Sequence, residues 1–431
     1  MNYETVKSFI LVLLVGLSVL LSFLLWTYQP KYDFLHDTSY VNEVDVGGAE
    51  KTKNEVIEPR SIVFHQHDSI AGFRKPVQQQ RFFKELASWV LYDYEELNEE
   101  EVPEADQMVE MKFPANIPVE LITNLFTFDE EITPPNWSFH KIYLTLDAEE
   151  QLAHFIIPST NGRKQVRATI DKSETYYYLM SHMEQDTEIT EPFAVFDEGD
   201  EPIYFPKNKK ELAEKTFIAN IIEPESFVNA LFATPSIVTS NMSESYFTDG
   251  QRGMEVVQDG RRLEYINPIQ ASDNHLEAIE LIEKSVSHIN EHKGWTNDFF
   301  LDRMDADASK ILYRMYYEGY PTFDNYRLTT IKEEWRDDEL YQYIRPLISV
   351  GNLLNSTKKT LRSGEDIAAE ITNSTILEHD SIEDIQIGYT MEYVDDAYSL
   401  KLEPAWYILY KGDWIKFDSV YGQDSARKGG D

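Results

Sequence analysis

His288-Ile289-Asn290-Glu291-His292 is the run whose residue types and spacing best suit metal chemistry. Two histidines one helical turn apart can bind zinc while the intervening glutamate acts as general base, the H-x-x-E-H arrangement. The function it would support is an extracytoplasmic zinc-dependent hydrolase using His288, Glu291 and His292. The register opposes that reading. Ile279, Ile282, Val286 and Ile289 form the apolar stripe, and at about 100° per residue both histidines and Glu291 fall off it. They are expected to face solvent on the last turn before Gly294, where no shielded cleft could form around a metal.

Three weaker patterns were weighed in the same way. In His65-Gln66-His67-Asp68 the two histidines share a face if the strand is regular, as they would on any exposed strand edge, and no third ligand is evident. Asp305-Ala306-Asp307 resembles the opening of a calcium loop, but Lys310 stands at the glycine position and Tyr316 at the bidentate glutamate position. The acidic run from Asp93 to Asp106 reads as a solvated loop. No P-loop, dinucleotide fingerprint, nucleophile elbow or kinase signature is present. Neither a catalytic set, nor a metal site, nor a cofactor is expected. By exclusion the chain reads as a binding protein.

Composition narrows the classes further. The sequence has no cysteine, which removes disulfides, zinc–thiolate sites and thiol nucleophiles. Its net charge of −37 repels nucleic acid and anionic surfaces and keeps a large domain soluble. With 42% hydrophobic residues the chain nevertheless has ample material for packed cores.

The elements that would carry these residues follow from hydrophobic patterning. Phe9 to Trp26 is apolar, with no charge between Ser8 and Pro30, long enough to cross a bilayer as one helix. Trp26 and Tyr28 suit an interfacial belt, and nothing after the span resembles a signal-peptide cleavage site. The expectation is a single-pass anchor with the N-terminus cytoplasmic and the remainder outside the cell membrane. On that helix Leu11, Val15, Ser18 and Ser22 share a stripe, and Ser18 and Ser22 make a small-xxx-small pair suited to a transmembrane partner.

The domains expected are a cytoplasmic tip and anchor over 1–30, a linker over 31–55, an N-terminal α+β domain over 56–195, a central domain over 196–260, a C-terminal α+β domain in two halves over 261–421, and a disordered tail over 422–431. Within them, helices are predicted over Val77–Tyr92, Glu225–Phe232, His275–His292 and Gly364–Ile371. A hairpin is predicted to turn at Asp259-Gly260. The fold class is α+β, with mixed antiparallel sheets and helices.

Several stretches carry a family resemblance. Tyr3-Glu4-Thr5-Val6-Lys7-Ser8, the apolar span and Trp26-Thr27-Tyr28-Gln29-Pro30-Lys31-Tyr32 resemble the N-terminus of the YycH (WalH) family. Leu361-Arg362-Ser363-Gly364-Glu365, Ile387-Gly388-Tyr389 and Leu402-Glu403-Pro404-Ala405-Trp406 are similar to the fold that YycH shares with YycI. The resemblance implies an accessory regulator of a Gram-positive two-component system. It would act with a YycI-like partner on the WalK (YycG) sensor histidine kinase and so on cell-wall genes under WalR (YycF). It also implies contact through transmembrane helices, a YycI-like C-terminal part, and room for an extracytoplasmic ligand of unknown identity. The sign of regulation differs between members and does not carry over.

Overall fold

The computed structural model describes residues 45–98, 105–149, 151–170, 173–183, 187–199, 201–241, 245–268 and 275–421. The expected anchor with Leu11, Val15, Ser18 and Ser22, the linker through residue 44, and the tail over 422–431 lie outside the described residues. Among those described, no helix is long and apolar enough to cross a membrane.

Strands dominate. The first sheet contains β1 (Ser61–Gln66), β2 (Ser69–Phe73), β3 (Val90–Leu97), β4 (Gln107–Pro118), β5 (Thr127–Phe128), β6 (Ser138–Asp147), β7 (Leu152–Pro158), β8 (Gln165–Ile170), β9 (Thr190–Phe196) and β10 (Ile203–Pro206). Their order is β10-β9-β2-β1-β4-β6-β7-β8-β3-β5. The second sheet takes up the rest of the chain: β11 (Lys210–Ile221), β12 (Thr239–Ser240), β13 (Tyr246–Thr248), β14 (Gly253–Val257), β15 (Arg262–Ile266), β16 (Asp298–Asp305), β17 (Lys310–Tyr317), β18 (Tyr320–Phe323), β19 (Thr330–Arg336), β20 (Glu339–Pro346), β21 (Ile348–Leu361), β22 (Ile382–Val394), β23 (Ser399–Tyr410) and β24 (Asp413–Lys416). Its path runs β12-β13-β14-β15-β20-β19-β17-β18-β22-β23-β11-β21, with β16 on β17 and β24 on β23. Residues 196–260 are therefore shared between the two sheets. Pairing is antiparallel apart from the short β3–β5 and β18–β22 contacts.

Helices α1 (Lys53–Val56), α2 (Pro76–Ala87), α3 (Ile122–Leu125), α4 (Ser173–Met183), α5 (Glu225–Leu231), α6 (Ala278–Glu291) and α7 (Gly364–Thr372) complete the α+β fold. Helix α2 starts on Pro76, whose missing N–H costs nothing in the first turn, and buries Phe82, Phe83 and Leu86. It stops at Ala87, with Ser88 as its C-cap, five residues short of the predicted Tyr92. Val90-Leu91-Tyr92 is β-branched and aromatic, and it enters β3 instead.

The final long strand also differs from expectation. Two strands were expected, Tyr398–Leu402 and Ala405–Tyr410, but β23 runs unbroken through Pro404. β11 flanks residues 399–402 and β24 flanks 407–410, so Pro404 sits where the strand has a neighbour only in β22. A missing N–H facing that gap forfeits no ladder bond. Gly388 lies in the partner strand, where an added Cβ would come within 2.5 Å of the Phe323 ring. The Asp259-Gly260 turn forms as expected, Asp259 and Gly260 both having positive φ.

Residues 45–57 correct the linker reading. The Val46 N–H donates to the His292 carbonyl at 3.1 Å, Ala49 bridges Trp295, and Val56 and Ile57 are buried. Asn290 clasps this strap by accepting from the Lys51 N–H at 2.9 Å and donating to its carbonyl at 2.8 Å. Polar composition reads as a free linker, but Val46 near its end and Val56 and Ile57 just beyond it supply apolar surface that docks it.

One apolar core contains residues of both sheets, among them Phe64, Val109 and Phe155 from the first and Ile331, Tyr343 and Leu402 from the second. A smaller core joins Phe196, Ile203 and Phe205 to Ile367, Trp406 and Phe417. Each such side chain contributes about 1.5–3 kcal/mol on full burial, so the sheets are held by packing as well as by ion pairs.

Candidate functional site

The histidines of the H-x-x-E-H run face the second sheet, His292 buried and His288 half-buried, contrary to the solvent-facing expectation. Helix α6 seats Leu281, Ile282, Ser285, Val286 and Ile289 against the second sheet. Ser285, His288 and His292 extend that face as a polar stripe, because β17, β19 and β20 present polar partners to them. Tyr313 donates to Ser285 at 3.0 Å, and His288 Nδ1 meets Glu333 Oε1 at 2.7 Å. The second oxygen of Glu333 accepts from Trp335 Nε1 at 3.0 Å. His292 is 1% exposed, and its Nε2 lies 2.9 Å from the Tyr343 hydroxyl.

Arg345, fully buried, closes the cluster. It donates to the Tyr343 hydroxyl at 3.0 Å and to Thr296 Oγ1 at 3.1 Å, and it lies over the Phe227 ring at 4.8 Å. Burial, followed by the neighbouring His288 and Arg345, holds the His292 pKa well below its ordinary value. With a guanidinium and a hydroxyl presenting protons to Nε2, the ring is neutral there. Glu291 is exposed on the other side of the helix. The motif's general base is thus turned away from its ligands, and a permanent cation occupies the space a zinc ion would need. The arrangement fits a closed structural network and does not fit a hydrolase.

The other sequence candidates do not converge either. His65 lies on β1, an inner strand rather than the expected edge, and pairs with Glu110 at 3.2 Å. His67 sits in the following turn with φ +52°, which breaks the alternation assumed for the pair. Asp305 caps its own hairpin turn by accepting from the Ala308 N–H at 3.0 Å. Of the acidic run, residues 99–104 lie outside the described residues. Among the described residues no group of histidine, aspartate and glutamate side chains could hold a metal ion.

Where the sheets meet, a second polar network forms that the sequence did not announce. A bulge in β16 between Leu301 and Arg303 turns Asp302 inward. Its carboxylate accepts from Arg314 at 2.8 Å and lies 3.5 Å from Arg60, which also approaches Asp384 at 3.6 Å. Burial alone would raise the Asp302 pKa, but Arg314 and Arg60 bring it below its ordinary value. Beside this network opens a cleft of about 550 Å³, bordered by Lys112, His140, Glu201, Arg303, Asp380 and Trp414. Glu201 accepts from His140 at 3.2 Å and pairs with Lys112 and Lys141. The His140 bond, joined by the charges of Lys141 and Lys112, holds its pKa far below the ordinary carboxylate value despite partial burial.

This cleft can hold polar groups, but it pairs no nucleophile with a base. A signal for the inward polar residues does exist in the sequence. Ile331-x-Glu333-x-Trp335 and Tyr343-x-Arg345-x-Leu347 alternate in step with apolar neighbours, which puts Glu333 and Arg345 on the core face.

Comparison with known proteins adds what the chemistry does not supply. Residues 4–188 match the family model "YycH protein, N-terminal domain" and residues 200–424 match "YycH protein, C-terminal domain". The chain is 19% identical over 438 residues to the Two-component system WalR/WalK regulatory protein YycH of Bacillus subtilis (strain 168), covering 96% of each chain. The crystal structure of YycH from Bacillus subtilis shares the fold with a TM-score of 0.71 at 17% identity, over 86% of this chain and 99% of that one.

Proposed function

This chain belongs to the YycH family, and from that premise we propose that it is a membrane-anchored regulator of the WalK sensor kinase, acting together with a YycI-like partner. The observation that carries this reading is a match along nearly the whole length of a WalR/WalK regulatory protein, in both family domains. The closed network around His292, with Arg345 and Tyr343 on its ring nitrogen, supports a structural use of the H-x-x-E-H histidines.

The anchor is the apolar span from Phe9 to Trp26, with the following residues outside the cell membrane and the C-terminal part resembling YycI. Its partner face is the stripe of Leu11, Val15, Ser18 and Ser22. A helix that packs better against one signalling state of a kinase shifts the population toward that state by the difference in binding energy. No chemical step is required of the regulator.

The test reconstitutes the full-length chain in nanodiscs with WalK and the YycI-like protein and follows kinase autophosphorylation. Wild-type chain should change the rate. Ser18→Leu with Ser22→Leu should abolish the change, and Leu17→Ile with Leu24→Ile on the far face should preserve it. An autophosphorylation rate indifferent to the wild-type chain would overturn the function. Equal behaviour of the two variants would overturn the serine face alone.

A further inference from the structure

Most free sheet edges in this molecule are blunted. The first sheet ends in β10, of 4 residues, and β5, of 2 residues. The second ends on one side in β12, again of 2 residues. The side branch β16 is longer but packs against β4. The remaining edge is β21, a strand of 14 residues that pairs with β11 on one side and, among the described residues, with no strand on the other.

Residues 352–358 of β21 are exposed on both faces without interruption. Leu353 is 53% exposed and Leu354 56%, while Ile218 in the neighbouring β11 is 40% exposed. β21 contains no proline to block pairing. A long edge that presents a row of backbone donors and acceptors beside bare leucines is a template for another strand, and soluble proteins ordinarily suppress such edges. The ladder with β11 shifts register on either side of Leu353 and is regular from Asn355 to Leu361, a stretch of roughly 24 Å at about 3.4 Å per residue, with the two leucines at its irregular end.

We propose that β21 is the docking edge for one extended strand of a partner protein, apolar where it crosses Leu353 and Leu354 and acidic where it crosses Lys358. The charge pattern selects this occupant. In a chain of net charge −37, the edge strand carries Lys358 and Lys359; Lys359 pairs with Glu403 at 2.7 Å and Arg362, just beyond the strand, with Glu370 at 2.6 Å, which leaves Lys358 as the cation facing a partner. The Lys358 side chain is 88% exposed, and its nearest carboxylate, on Glu211, lies 3.9 Å away and is itself 70% exposed, so little holds it. Opposite charges directly across two strands stabilise their pairing, and like charges oppose it. A second copy brings its own lysines and a net charge of −37 to the encounter, which disfavours self-pairing. Pockets for alternate side chains combined with main-chain hydrogen bonds are the general mode of strand addition.

The probes are two synthetic peptides, Thr-Glu-Glu-Thr-Val-Thr-Val-Thr and its counterpart with both glutamates replaced by lysine. The readout is hydrogen exchange of the full-length chain in detergent micelles. The acidic peptide should slow amide exchange within residues 352–358 and bind at least about tenfold more tightly than the basic one. Lys358→Glu should reverse that preference, and Leu353→Asp with Leu354→Asp should remove binding of both. Unchanged exchange across β22 and β23 certifies the fold of each variant. No slowing of 352–358 by the acidic peptide would overturn the assignment, as would equal affinity for the two peptides. Protection of these amides that rises with protein concentration alone would replace the partner strand with a second copy.

Discussion

Replacing His292 by glutamine tests whether the buried cluster holds a neutral imidazole. The ring is enclosed by Tyr343, Arg345 and Phe227, and burial keeps its pKa well below that of an exposed histidine. The unfolded chain takes up this proton near pH 6.5 and the folded chain does not. A group depressed in the fold contributes its full stability above the unfolded value and loses it as pH falls toward the folded one. Between pH 7.5 and 5.5 the loss is on the order of 1 kcal/mol. Buried His182 is lowered by the same cause and adds a slope of the same sign. Glu58, raised by burial, gives a slope of opposite sign that belongs nearer the carboxylate range.

His292→Gln leaves His182 and Glu58 in place, so the difference between the two proteins isolates the one ring. The assay is urea unfolding at pH 7.5 and 5.5 in constant salt. Wild type should lose on the order of 1 kcal/mol more than the variant over that interval, whatever their absolute stabilities. Identical losses would mean that folded His292 accepts a proton at its ordinary pH, and the argument from Arg345 and burial would fail.

Asp302→Ala takes the carboxylate from the buried Arg314 guanidinium and leaves Arg60 only Asp384, and it should cost about 3–5 kcal/mol in urea unfolding, with Asp302→Asn costing less. If Asp302→Ala costs under about 1 kcal/mol, Asp302 does not hold the junction. The thermal midpoint should rise between low and physiological sodium chloride, because screening relieves repulsion among the excess carboxylates. A midpoint that falls over that range would show that ion pairs such as Glu201 with Lys141 outweigh the general repulsion.

Where the pattern was local, the sequence was readable. The Asp259-Gly260 hairpin, helix α7 behind its Ser363 cap and the alternation of β17 and β19 all announce themselves over a few residues. Helix α6 was legible as an element but its faces were not, because apolar residues alone were taken to mark burial. Ser285, His288 and His292 turn toward the sheet on the strength of partners 28 to 51 residues further along the chain. The same distance problem hid the docking of residues 45–57, whose partners lie beyond residue 289. The open edge of β21 is a property of sheet order, which no window of sequence reports.

The strap over 45–57 runs beside His292 and Trp295, and its helix α1 packs on both β16 of the second sheet and α3 of the first-sheet region. The first sheet, from Ser61 to Pro206, is therefore an insertion whose two ends return to one place: Glu58, Pro59, Pro206 and Lys210 border the same small cleft. Such an insertion can complete its own strand pairing as it leaves the ribosome, since all its ladders are internal. The strap cannot. Its clasp, Asn290, and its bridge, Trp295, are synthesised about 240 residues later, and forming so distant a contact is slow. Until then Val46 remains uncovered on the nascent chain, so the first described residues of this protein are among the last to find their place.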